Sequence, residues 1–224
     1  MSLDKLSSNP RLVEVIKLLK SRDIEIPNVF VETGTRGGGG INAIFSTCDV
    51  DRMISFEINE LDVIKNRERF GEIIEGGTLE IIHGSSADLL SSHINDIGKS
   101  VFFWLDAHAA TPKQWKDGYT QEEFRLENKT NYPLQWELDS IINSNIETMI
   151  VAIDDIGKFW ISKNAFPFNY DDTVSFLKDN NFNIIKCRGE YEIDENNKKS
   201  ILSHNYLDDD AINAGCHYVL IGHK

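Results

Sequence analysis

Four consecutive glycines, Gly37 to Gly40, follow the apolar stretch VFVET at 29–33, whose penultimate residue is the acid Glu32. A glycine run costs backbone entropy unless the chain must turn tightly or let something come close. Two other apolar stretches also end in groups that do chemistry. VFFWLDAH ends in Asp106 and His108, and MIVAIDDIG carries Asp154 and Asp155. If these two stretches are neighbouring parallel strands, their ends lie about 5 Å apart and three carboxylates converge. Carboxylates so placed repel one another and do not all stay ionised without a compensating cation. All-oxygen ligation suits a hard ion such as Mg²⁺, Mn²⁺ or Ca²⁺. Histidine titrates near neutrality, so His108 can take a proton; Lys116 is a weaker candidate for that role.

The elements that must position these groups follow from hydrophobic spacing. Strand-length apolar runs recur at 29–33, 53–58, 79–83, 101–106, 148–154, 182–187 and 216–222. The first five are apolar almost throughout, as strands of a parallel sheet covered on both faces are. Between them the spacing predicts helices over about 40–46, 59–75, 86–97, 133–145 and 171–180, and before them one over 9–21 with Pro10 at its start. Strands alternating with helices predict a doubly wound α/β sheet with right-handed crossovers. Two polar stretches break the rhythm. Residues 107–131 form an aromatic-bearing insert, expected to act as a lid through Trp115 and Tyr119, and 189–215 form a long connection. Trp160, Phe166 and Phe168 follow the Asp pair and are candidates to line an acceptor pocket, whereas Glu137 and Asp139 read as surface or supporting groups.

In an open α/β sheet, ligands bind outside the carboxyl ends of the strands, at the topological switch point. A dinucleotide would require G-x-G-x-x-G there. Gly37-x-Gly39 meets Asn42 at the third glycine position, and a start at Gly34 meets Arg36 at the second, so the fingerprint fails in both registers. The stretch VETGTRGGGG instead resembles the first motif of class I S-adenosylmethionine-dependent methyltransferases, an acid at the end of strand one before a glycine-rich turn. ISFEIN resembles their second motif, and Glu57 stands 25 residues after Glu32, where that family has its ribose-binding acid. IIHGSSADLL resembles the third strand end, where Ser85 and Ser86 would lie near the adenine.

The resemblance covers about residues 29–188 and implies a Rossmann-like seven-stranded sheet, mostly parallel with its last strand antiparallel. It also implies S-adenosylmethionine as cofactor, held by Glu32, Thr33, Gly34, Thr35, Gly38, Glu57, Ser85, Ser86 and Asp106. Within that family the strand-four and strand-five ends are similar to those of the metal-dependent O-methyltransferases, of the macrocin sugar type and the catechol type. That likeness implies Mg²⁺ or another divalent ion on Asp106, Asp154 and Asp155, with Asp106 and His108 as catalytic groups. The acceptor would be a hydroxyl on a small molecule or sugar. Methyl transfer to nitrogen or carbon without metal, and a non-catalytic module on the same sheet, are the alternatives.

Composition limits the partners. The chain has 224 residues and a net charge of −13, without a basic stripe for a phosphate backbone, so nucleic acid is not expected. No apolar run approaches the ~18 residues of a membrane span. The N-terminus lacks the basic and apolar regions of a signal peptide. Cys48, Cys187 and Cys216 are scattered, which fits free thiols in a reducing cytoplasm. The expected organisation is an N-terminal helical segment, 1–28, followed by one methyltransferase domain, 29–224. The segment can pack on that domain or on a second copy of the chain, which leaves a homo-oligomer open.

Overall fold

The computed structural model describes residues 8–107, 133–154, 170–186 and 219–224. In chain order it has α1 (Pro10–Ser21), β1 (Val29–Thr33), α2 (Gly39–Thr47), β2 (Arg52–Glu57), α3 (Glu60–Arg69), α4 (Gly71–Glu75), β3 (Leu79–His83) and α5 (Ser86–His93). A 3₁₀ turn at Ile94–Asp96 follows, then β4 (Ser100–Leu105), α6 (Leu134–Ile142), β5 (Thr148–Ile153), α7 (Tyr170–Asp179), β6 (Asn183–Lys186) and β7 (Leu220–His223). His108, Asp155, most of the expected lid, its Trp115, Lys116 and Tyr119, the aromatics Trp160, Phe166 and Phe168, and the connection 189–215 lie outside the described residues.

The seven strands form one sheet in the order β3-β2-β1-β4-β5-β7-β6. Neighbours from β3 to β5 are parallel, and β7 runs antiparallel to both β5 and β6. This is the expected doubly wound sheet with its last strand reversed. Side-chain alternation along each strand feeds two cores. Phe30, Met53, Phe102, Trp104 and Ile150 meet α1, α2 and Val63 of α3 on one face. Val31, Ile54, Phe56, Phe103 and Val151 meet α5, α6 and α7 on the other. Phe30 lies opposite Phe102 in the β1–β4 register, and their rings pack edge to face with centroids 5.2 Å apart.

The helical stretch expected over 59–75 is two helices. Phe70 leaves helical geometry at φ −105°, ψ 20°. Its ring is buried beside Gly38, and Gly71 after it favours a break. No helix among the described residues is long and apolar enough to cross a membrane.

The N-terminal helix is part of this core. The side chain of Asn9 accepts from the backbone N–H groups of Arg11 and Leu12, capping α1. Its own backbone N–H donates to the Gly39 carbonyl, 2.9 Å away. Leu12, Val15, Ile16 and Leu19 recur at helical spacing and are buried against α2. Truncating Ile16 to alanine is therefore expected to cost about 2–5 kcal/mol in urea denaturation. A loss below about 1 kcal/mol would show that α1 is not part of this core.

Candidate functional site

β2 continues the sheet on one side of β1 and β4 on the other, so the glycine turn after β1 sits at the switch point. Its glycines have different reasons. Gly34 has φ +84°, and a Cβ there would come within 2.9 Å of the Asp106 carbonyl oxygen, where the end of β4 crosses close by. Gly38 has φ +74°, and its Cβ would meet Asn66 Oδ1 at 2.5 Å. A Cβ on Gly40 would overlap Glu32 Oε1. A Cβ on Gly37 would meet nothing within 4 Å.

Helix α3 holds the turn residue by residue. The buried Asn66 donates Nδ2–H to the Arg36 carbonyl at 2.7 Å, and the Arg69 guanidinium donates to the Gly37 carbonyl at 2.5 Å. Arg36 itself adopts φ +46°, a costly conformation for a residue with a side chain. From the other side, the Glu57 carboxylate accepts from Arg36 N–H at 2.6 Å and from Asn59 N–H at 2.8 Å. Asn66 and Arg69 were not among the residues read from the sequence as functional. A polar residue in the middle of a helix is an ordinary surface residue until the fold shows it buried.

Several residues expected to touch a ligand are committed to internal partners. Glu32 is 2% exposed and accepts from Ser55 Oγ at 2.6 Å, while the Thr35 and Ser55 hydroxyls lie 2.5 Å apart. Ser86 donates its hydroxyl to Glu137 at 2.6 Å, and Thr33 is fully buried. Ser85 stands at the N-cap of α5 without a side-chain cap bond. Gly34, Ser85 and Asp106 are partly exposed, and Glu57 is 7% exposed.

Of the surface and supporting roles that its sequence position allows, Glu137 takes the supporting one, being 1% exposed and bonded to Ser86. Helix α6 turns it inward under the β1 and β4 ends, where it meets Ser86 from α5. Burial pushes its carboxyl up to about 7, the hydroxyls of Ser86 and Thr33 oppose the rise, and Asp106 adds to it. On the opposite face, burial pushes Glu32 up to about 8; the Ser55 hydroxyl opposes this, and Asp106 and Glu57 add repulsion. Two buried carboxyls thus flank the β1 end from both faces, and both feel Asp106.

The β4–β5 register brings Leu105 opposite Ile153, so Asp106 and Asp154 follow on neighbouring strands as expected. Asp154 is fully shielded, and its Oδ1 lies 2.7 Å from the Arg11 guanidinium Nη1. By donor type, two carboxylates would suit a divalent ion. In the folded chain the Asp154 carboxylate already carries a guanidinium, which opposes a divalent ion there, and the third expected ligand, Asp155, lies outside the described residues. Among the described residues no three His, Cys, Asp or Glu side chains cluster to hold a metal.

No known family profile matches the chain, and no curated protein matches it. Solved structures do. Geranyl diphosphate C-methyltransferase from Streptomyces coelicolor A3(2), in complex with Mg²⁺, geranyl diphosphate and S-adenosyl-L-homocysteine, is similar with a TM-score of 0.56 at 9% identity, over 94% of this chain and 79% of that one. Precorrin-6y C5,15-methyltransferase from Geobacter metallireducens GS-15 is similar with a TM-score of 0.51 at 13% identity, over 98% of this chain and 92% of that one. An S-adenosylhomocysteine-bound methyltransferase from Podospora anserina has a TM-score of 0.51 at 14% identity, over 98% of this chain and 80% of its own. At such identities the likeness establishes a shared fold, the Rossmann-like fold of methyltransferases.

The raised acids make stability depend on pH. Glu32 binds its proton up to about pH 8 in the folded chain and releases it at the ordinary 4.5 when unfolded. Between those values the folded state holds more protons, so the Glu32 contribution is full below pH 4.5 and declines as pH rises towards 8. Glu32→Gln is expected to gain stability relative to the unmutated chain as pH is raised from 5 to 8, measured by urea denaturation at each pH. Parallel stability curves would refute the burial of an uncharged Glu32.

Proposed function

We propose that this chain is an S-adenosylmethionine-dependent methyltransferase whose acceptor is a hydroxyl on a small molecule or sugar. The observation that carries the reading is the charge and shape of the switch point. A glycine turn held by Glu57, Asn66 and Arg69 stands among Glu32, Glu57, Asp106 and Glu137. Glu32 and Glu137 are buried with raised pKa values, so a dinucleotide would bring its pyrophosphate to Glu57 and Asp106. A sulfonium cofactor bearing an ammonium group meets the same acids as counter-charges. The Streptomyces and Podospora structures, both solved with S-adenosylhomocysteine on a similar fold, support this choice of cofactor. The hydroxyl acceptor rests on the resemblance of the β4 and β5 ends to O-methyltransferases.

When bound, S-adenosylmethionine supplies an electrophilic methyl group on a positively charged sulfur. Each Glu57 oxygen accepts one backbone N–H and keeps further lone pairs for a ribose diol. Gly34 and Gly38 give the turn the left-handed backbone it needs, and the first turn of α2 offers N–H donors to a carboxylate. Methyl transfer is an in-line displacement, and most of what a protein contributes to it is alignment. The acceptor must lose a proton as its oxygen bonds to carbon. Asp106 at the end of β4, or His108 two residues on, is the proposed group to receive it. No step is assigned to a metal. Transfer to nitrogen or carbon without metal is the second reading, favoured by the guanidinium already on Asp154.

Calorimetric titration tests the cofactor. S-adenosylhomocysteine should bind and NAD should not. Glu57→Ala should weaken binding roughly 10- to 100-fold, the equivalent of losing hydrogen bonds to a charged group. Absence of binding by the unmutated chain would overturn the proposal. Binding without methyl transfer to any hydroxyl acceptor in a broad screen would favour a non-catalytic module or another acceptor atom.

A further inference from the structure

The N-terminal helix delivers one side chain to the sheet edge. Arg11 is the second residue of α1 and immediately precedes Leu12, the first of the core-facing residues Leu12, Val15, Ile16 and Leu19. The Asn9 cap and the bond from Asn9 N–H to the Gly39 carbonyl fix the start of that helix against the glycine turn. From there the Arg11 side chain, only 12% exposed, reaches Asp154, whose side chain is fully buried. The Asp154 backbone is equally fixed, since its N–H donates to the Leu105 carbonyl at 2.9 Å and extends the β4–β5 ladder. Other ion pairs among the described residues, Lys17 with Glu14, Lys65 with Asp62 and Lys99 with Glu147, involve exposed lysines. The Arg11–Asp154 pair is shielded, where charge matters most.

We propose that Arg11 is a site residue that supplies the positive charge required by Asp154, in the place where a divalent cation would otherwise stand, so that the chemistry at this edge runs without metal. A buried carboxylate must be paired, and a short N⁺–H···O⁻ bond from a guanidinium does this. A divalent ion on Asp154 would stand at contact distance from that guanidinium, and like charges so placed repel strongly. The position of the pair also joins α1 to the β5 end, so the N-terminal segment completes the sheet edge. The relevance to methyl transfer rests on the reading under Proposed function, whereas the charge compensation itself does not.

Thermal unfolding in millimolar Mg²⁺, in Mn²⁺ and in EDTA tests it without using the cofactor. The unmutated chain should have the same midpoint in all three. Arg11→Ala should lower the midpoint by roughly 6 to 20 °C, as expected when a buried carboxylate loses a guanidinium in a chain of this size. Mg²⁺ or Mn²⁺ should restore part of that loss, because the vacated carboxylate becomes a cation site. Arg11→Ala combined with Asp154→Asn should be more stable than Arg11→Ala alone and indifferent to metal. If Arg11→Ala does not fold, Arg11→Lys decides: a folded, metal-indifferent variant supports the proposal, and a metal-stabilised one opposes it. Metal stabilisation of the unmutated chain that Asp154→Asn abolishes would overturn it, as would an Arg11→Ala midpoint equal to that of the unmutated chain. Failure to bind S-adenosylhomocysteine would overturn the cofactor reading and leave these outcomes unaffected.

Discussion

The buried carboxyl of Glu32 constrains everything around the switch point. A carboxyl excluded from water must find hydrogen bonds or keep its proton, and Glu32 does both, bonding Ser55 and rising to about 8. It lies where a Cβ on Gly40 would be, so helix α2 can start there only with glycine at that position. The Ser55 hydroxyl it uses is shared with Thr35 in the turn, so the base of the turn is tied to the middle strands of the sheet. The glycine run is therefore the meeting of two demands. Gly40 makes room for an acid below, and Gly34 and Gly38 allow a backbone course that residues with side chains rarely take.

Charge is distributed unevenly around that turn. Glu32 and Glu137 flank the end of β1 from opposite faces of the sheet, both raised in part by Asp106. Further along the edge, Asp154 has Arg11. The sheet edge thus has one half that is short of positive charge and one half that already holds it. Under the proposed function, a cationic cofactor would answer the first half. The second is answered from within the chain, by a helix that also buries four aliphatic side chains.

Legibility differed by the kind of interaction. Strand and helix positions came through because burial on both faces of a central strand leaves an unbroken apolar run such as VFFWL, and burial of one helix face leaves a period of 3.6. The break at Phe70 was missed because a buried aromatic and a following glycine look like ordinary helix content until the ring is placed against Gly38. The sequence leaves Glu137 between a surface and a supporting role because a single buried polar residue has no periodic signature. Its inward position follows from the rotation of α6, which Leu134, Leu138 and Ile141 set. Arg11 carried no signal of its own, since the Asp154 it contacts lies far along the chain.

By itself the sequence determined the sheet class, the place of the glycine turn and the failure of the dinucleotide fingerprint. These depend on neighbours along the chain and on repeating hydrophobic contrast, which are local. Tertiary structure alone decided which acids are buried, which hydroxyls are already used and where Arg11 ends. Those outcomes depend on the distances between groups far apart in sequence and on how much water the fold leaves between them, and electrostatics responds to both.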